Sequence, residues 1–304
     1  MTRTQGNNEA LKDGSVRPDG HEFVFTEVPV LVTAFRQMVR DLEFDVCEMA
    51  VTTYLCARAH GKAFTALPVF LVRGFHHGAL VRATGSGVTP DGLEGRRVGV
   101  NRGYTVTTGV WARGILQDEY GVDPDRVTWL PTGDEHVAEY RPPANVTPLD
   151  AGLDTALADG RIDAAVGIEA THPALEPLIP DPEEAGFAAL RERGLYPINH
   201  LVVVKDELLR ADPGLAVAVF DAFAAAKRRY VDRLATGAIV APTATDLMYR
   251  QVMQITGADP LPYGIAPNRA MLEQLIGHAV RQHILDRPPA VEDLFHPTTH
   301  ELSA

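Results

Sequence analysis

The stretch LEGRRVGVNRGYTVTTGVWARGILQDEYGV, residues 93–122, decides the reading of the fold. RRVGV is a short apolar run with turn residues on both sides, SGVTPDGLEG before it and NRG after it, which predicts a buried strand. Directly behind it, Trp111 and Ile115 stand at i and i+4, the spacing of one helix face, and threonines offer a cap where the helix begins. A strand, a polar loop and a helix in immediate succession form the repeating unit of an α/β fold.

The same alternation extends outward in both directions. Apolar runs recur as FVFTEV (23–28), ALPVFLV (66–72), GALVRA (78–83), RVTWL (126–130), DAAVGI (163–168) and HLVVVKD (200–206), each predicting a strand. Between and after them, helical spacing is clearest over 214–234, through Leu215, Val219, Phe223, Ala226 and Tyr230. A second such face, over 269–285, carries Leu272, Leu275, Ile276 and Ala279. Turn chemistry around RRVGV and the return of the chain as ERGLYPINHLVVVKDELL (192–209) read as two passages between lobes. The expected division is a discontinuous lobe of 1–82 plus 203–304 and a second lobe of 83–202, with a cleft between them as the default ligand site. The Pro-rich stretch at 177–197 is expected to be a surface excursion of the second lobe.

Composition narrows the function classes. With 304 residues, 45% of them hydrophobic, the chain has apolar material for two modest cores. A net charge of -12, a pI near 5.3 and no basic stripe exclude a nucleic-acid partner, which clustered Lys and Arg would have to neutralise. MTRTQGNNEALKDG lacks the apolar core of a secretory signal, and no run of about eighteen apolar residues is present to span a membrane. A cytoplasmic chain with no membrane partner is expected. Cys47 and Cys56 fit neither a disulfide framework nor a four-ligand zinc site, and are expected to be buried free thiols.

Several blocks carry a resemblance. FDVCEMAVTTYL (44–55) resembles the FDVSE-x-S-x-SSYL block of the 4,5-dihydroxyphthalate decarboxylase family, and ALPVFLVRGFHHGAL (66–80) resembles its ALPVF-x-SR-x-FRH block. LEGRRVGV with VWARGILQDEYGV, LYPINHLVVVKDELL, DPLPYGIAPNRAMLEQLI and RPPAVEDLF follow in the family's order, so the resemblance runs from about residue 44 to 295. It implies an α/β, two-lobed type II periplasmic-binding-protein-like fold used as an enzyme, with the substrate in the interlobe cleft and no organic cofactor. Two positions depart from the pattern. TRTQGNNEALKDG stands where the family has a strand running into a Tyr-Asp-Arg-Thr-like loop, and His76-His77 stands where it has Arg-His.

Decarboxylating a hydroxylated aromatic acid needs a proton donor for the ring carbon, an acceptor for the phenol, and cations or N–H groups that orient carboxylates. His77 and His200, which match family histidines, are the catalytic candidates together with Glu48, read as the first residue of a helix at the cleft rim and as the group that accepts the phenolic proton or orients His77. Arg73 matches the family's arginine and is expected to grip a substrate carboxylate bidentately. Thr52, Thr53, Asn199 and Tyr263 are further binding candidates. Asn101, Arg102, Tyr104, Thr105, Thr107 and Thr108 form a polar loop at a helix N-terminus suited to an anion. Asp134, Glu135 and His136 are adjacent in a loop and read as solvated, so no metal is expected. His60, His172, His278, His283, His296 and His300 are expected to be solvated or structural. The expected partner is a small aromatic carboxylate; self-association is left open, and so are a carboxylate-binding protein of the solute-binding type and a different lyase on the same scaffold.

Overall fold

All but one of the apolar runs quoted above pair as strands, and Val46–Ala50 and Leu175–Pro177 add two more. In chain order these are β1 (Val46–Ala50), β2 (Phe64–Arg73), β3 (Leu80–Ala83), β4 (Arg97–Val100), β5 (Thr128–Pro131), β6 (Ala164–Val166), β7 (Leu175–Pro177) and β8 (Ile198–Lys205). The computed structural model describes residues 1–304 and divides them into two units. The first comprises Met1–Gly74, Ile198–Glu273 and Pro289–Ala304, and the second Phe75–Pro197 and Gln274–Pro288. Against the expected division, the passages lie at 74/75 and 197/198, and 274–288 packs with the second unit.

In the first unit, β8 is the centre of an antiparallel sheet of order β1-β8-β2. Leu201 through Val204 are buried on both faces, which is why HLVVV reads as a continuous apolar run and not as an alternating one. The β2–β8 register slips between Leu67 and Phe70, where Pro68 has no N–H to give to the ladder. The helix Leu215–Thr236 buries the expected face, Leu215, Val219, Phe223, Ala226 and Tyr230, and stops at Gly237, whose φ of 69° closes its C-terminus.

FVFTEV is the exception. It pairs with no strand; Phe23 packs on the ring of Phe223 while Val24 is 84% exposed. The run is apolar because single residues dock onto a helix, and period alone does not separate that from a strand.

The second unit holds a mixed sheet of order β5-β4-β6-β3-β7, with β4 parallel to β5 and β6, and β3 antiparallel to β6 and β7. β4 is the RVGV strand, and the helix Thr107–Tyr120 follows it with Trp111 and Ile115 buried. Its N-cap residue is Val106 and not a threonine. Gly99 in β4 is required by close approach, since a Cβ there would lie 2.4 Å from Leu153 and 2.7 Å from Ile162. The 177–197 stretch is no surface excursion: it forms the helix Pro182–Arg193, which buries Phe187 and Leu190 and sets Phe187 edge-on to Phe75. No helix is long and apolar enough to cross a membrane. Cys47 and Cys56 are buried and unbridged.

Candidate active site

In the first unit the expected residues converge on β1 and β8. Glu48 is a strand residue opposite Val202, not the start of a helix; the helix begins at Val51, because pairing with β8 outweighs the helical propensity of EMA. Two positions on, Ala50 pairs with His200, and this register brings the Glu48 side chain to the His200 ring. His200 Nδ1 lies 2.6 Å from Glu48 Oε1. Glu48 is fully buried, and its other oxygen accepts from the Arg3 backbone N–H at 2.8 Å and from Gln5 Nε2 at 3.4 Å.

Burial opposes ionisation of Glu48, but the His200 hydrogen bond, the charges of His200 and Arg3, and the Arg3 N–H together outweigh it and hold the carboxyl below its ordinary range. An ionised carboxylate can only accept, so the shared proton belongs to His200 Nδ1. His200 keeps 16% of its side chain exposed and meets Phe35 edge-on at 5.3 Å.

Arg73 ends β2 and is buried, with Nη1 donating to Asn268 Oδ1 at 2.7 Å; Asn268 is held in turn by the carbonyls of Pro262 and Gly264. The Tyr249 hydroxyl stands 3.5 Å from the Arg73 backbone N, and burial raises that phenol to about 12. Thr52 and Thr53 are buried in the helix Val51–Ala59, and Asn199 is half-buried beside His200. Tyr263 lies in the interior, its ring against Phe220 and 4.9 Å from Lys227 Nζ, its buried hydroxyl without a hydrogen-bond partner.

The second unit contains a second imidazole–carboxylate pair. His77 is fully buried, and its Nε2 lies 3.0 and 3.3 Å from the two oxygens of Glu119 on the helix Thr107–Tyr120. Glu119, which also accepts from Arg193, is held below the ordinary carboxylate range by both partners against the opposing effect of burial. His77 Nδ1 is buried without a partner. The carboxylate that orients His77 is therefore Glu119, and Glu48 orients His200.

The polar loop behaves differently from expectation. Its amides at Tyr104 and Thr105 and the Thr105 hydroxyl all donate to Glu135, at 2.5, 3.1 and 2.6 Å. The loop does bind an anion at this helix start, and that anion is a side chain of the chain itself. Asn101 Nδ2 donates to the Gly167 carbonyl, Arg102 sits at a φ of 70°, Thr107 is buried and Thr108 half-buried. Tyr104 is buried under Arg113, whose guanidinium carbon is 3.9 Å from the ring centroid and which donates to Gln282 Oε1 and the Tyr104 carbonyl. Of the adjacent acids and imidazole, Asp134 is exposed as expected, whereas Glu135 is engaged by the loop and His136 is buried. No group of three or more His, Cys, Asp or Glu side chains is placed to hold a metal ion.

Sequence reading missed Arg3, Gln5, Glu119, Tyr249 and Asn268, and took Glu135 for a solvated residue. Each acts on a residue remote in the chain.

No family model matches the chain. The periplasmic aliphatic sulphonate binding protein SsuA from Escherichia coli superposes with a TM-score of 0.52 at 12% identity, over 95% of this chain and 85% of that one, a likeness that shows the type II periplasmic-binding-protein-like fold. A 4,5-dihydroxyphthalate decarboxylase from Pseudomonas putida is 30% identical over 192 residues, covering 58% of this chain and 74% of the relative. Another, from Comamonas testosteroni, is 30% identical over 321 residues, covering 97% of this chain and 96% of the relative. With so similar a relative aligned along nearly the whole of both chains, this chain belongs to the 4,5-dihydroxyphthalate decarboxylase family.

Proposed function

We propose that this decarboxylase acts on 4,5-dihydroxyphthalate or a closely related hydroxylated aromatic acid, and that it needs neither an organic cofactor nor an obligate metal. The overall change is ArCOO⁻ + H⁺ → ArH + CO₂. A proton is added at the ring carbon bearing the carboxylate, the positive charge drains into a para hydroxyl, the carbon–carboxylate bond breaks, and its electron pair restores the aromatic ring. The hydroxyl supplies the electron sink that a cofactor provides in other decarboxylases.

The observation that carries this reading is the Glu48–His200 pair. A buried, ionised carboxylate fixes the ring tautomer and stabilises the imidazolium, which makes Nε2 the atom that carries and delivers the proton. His77, held the same way by Glu119, is the acid–base candidate of the second unit. Arg73, fixed by Asn268, is the proposed carboxylate ligand at the end of β2.

The test is carbon dioxide release and product mass from purified, chelator-treated protein given 4,5-dihydroxyphthalate and related hydroxybenzoates. Turnover to a product one carboxyl lighter is expected, and replacing His200 by Asn is expected to lower kcat by about 10²–10⁴ with the fold intact, the usual range for a general acid–base group. Saturable binding with no product across the panel would overturn the substrate assignment. Near-wild-type turnover by a folded His200→Asn or His77→Asn variant would remove that histidine from the mechanism.

A further inference from the structure

The first unit contains a cavity of about 590 Å³ that the proposed chemistry has not used. Its wall is the N-terminal segment from Arg3 to Asn7 on one side and Tyr230, Thr243, Thr245 and Tyr249 on the other. The volume falls within the usual range for small-molecule sites. Two of its lining residues, Arg3 and Gln5, touch Glu48, which carries His200, so the cavity begins one side chain from the proposed proton-transfer pair.

The charges along this wall are unevenly committed. Asp246 accepts from the Tyr230 hydroxyl and from the backbone N–H and hydroxyl of Thr243. Arg233 and Glu9 pair with each other. The Arg3 guanidinium, by contrast, comes no nearer than 3.9 Å to Glu48, a carboxylate already satisfied by His200, the Arg3 amide and Gln5. Half of the Arg3 side chain is exposed. The segment that carries it is fixed at both ends: the Arg3 amide is bonded to Glu48, and Asn7 Nδ2 donates 2.8 Å to the Leu71 carbonyl of β2. Arg3 is thus a half-exposed cation on an anchored backbone, with donors in hand, lining a cavity whose acids are engaged. An arginine so placed offers a planar fork matched to a carboxylate.

We propose that this cavity receives the carboxylate that an aromatic diacid keeps through the reaction, with Arg3 as its counter-ion and Gln5 and the Tyr249 hydroxyl bordering it. The inference rests on the aromatic-acid reading above. It makes Arg3 a determinant of specificity for diacids over monoacids, and it places that determinant in the segment where the sequence departs from its family's loop.

Equilibrium binding of two unreactive probes, phthalate and benzoate, tests this without turnover. Wild-type protein is expected to prefer phthalate, and Arg3→Gln to reduce the phthalate-to-benzoate preference by roughly 10- to 100-fold, the worth of a charge-assisted hydrogen-bonded pair. Arg3→Lys, which restores charge without the fork, is expected to recover part of the preference. Thr4→Asp, which adds a negative charge to the same exposed wall, is expected to reduce it with Arg3 intact, so the outcome does not hang on one variant's folding. Equal binding of the two probes by wild type, or an unchanged preference in a folded Arg3→Gln protein, would overturn the proposal. Absence of carbon dioxide release by the wild type bears on the decarboxylase substrate alone and leaves this binding ratio to be decided by itself.

Discussion

At the residue scale, the chain solves one problem twice: it fixes a histidine by burying a carboxylate against it. Glu48 does so for His200 and Glu119 for His77. The sequence named Glu48, His200 and His77 but could not pair them, because the partners lie 152 and 42 residues apart and meet through strand register and helix placement. A consequence for stability follows from the protonation states. Glu48 and Glu119 have lowered folded pKa values, so each contributes stability that is present above the unfolded carboxylate range and is lost as pH falls through the folded value. His278, lowered to about 4 by burial against Trp111 and by the neighbouring Arg281 and Arg113 despite Asp118, acts in the same direction at higher pH. It is neutral in the fold while the unfolded chain takes up a proton near 6.5, so stability drains between about 6.5 and 4. Because His21, raised by Asp212, acts in the opposite sense, the test is the difference from His278→Gln: the urea midpoint is expected to fall more from pH 7.5 to 5.5 in wild type than in the variant, and an equal change in both would contradict a buried neutral His278.

At the element scale, the strand–loop–helix of 93–122 was legible because its parts are local. The RVGV run, the Trp111–Ile115 spacing and the turn residues all lie within one short stretch, and the structure places β4 and the helix Thr107–Tyr120 there. What was not legible is what that loop binds. A polar loop at a helix start reads as an anion site whether the anion is a ligand or Glu135, thirty residues on, and no local pattern tells the two apart. FVFTEV and the 177–197 stretch were misread for a related reason, since docking of single aromatic rings onto a distant helix leaves no period. Gly99 carries an element-scale prediction. Val in its place would drive a side chain into Leu153 and Ile162 in the core beneath β4, so Gly99→Val is expected to destabilise the protein by about 1–3 kcal/mol, the usual cost of overpacking, measured as a shift in Tm. An unshifted Tm would mean that this core yields more than its packing implies.

At the scale of the whole chain, the α/β class and the family could be read from alternation and from blocks spread over most of the sequence, and the edges of the two units could not. The edges were not legible because long-range contacts set them. Residues 274–288 pack with the second unit, where Gln282 takes the hydrogen bond of a buried Arg113 from 169 residues away. The net charge of -12 also acquires meaning at this scale. On the proposed reading the acidic protein takes up a dianion and must supply local cations, and Arg3, 3.9 Å from Glu48, and Arg73, held by Asn268, are the two proposed for it. The central claim is that a protein-held proton is delivered to the ring carbon as carbon dioxide leaves. Turnover of 4,5-dihydroxyphthalate by chelator-treated protein in deuterium oxide, followed by mass spectrometry and proton NMR of the product, tests this most directly. Loss of one carboxyl and gain of one deuterium on the vacated ring carbon are expected, with both signals collapsing together in His200→Asn; carbon dioxide release without deuterium at that carbon, or at an undiminished rate in the folded variant, would rule out delivery from His200.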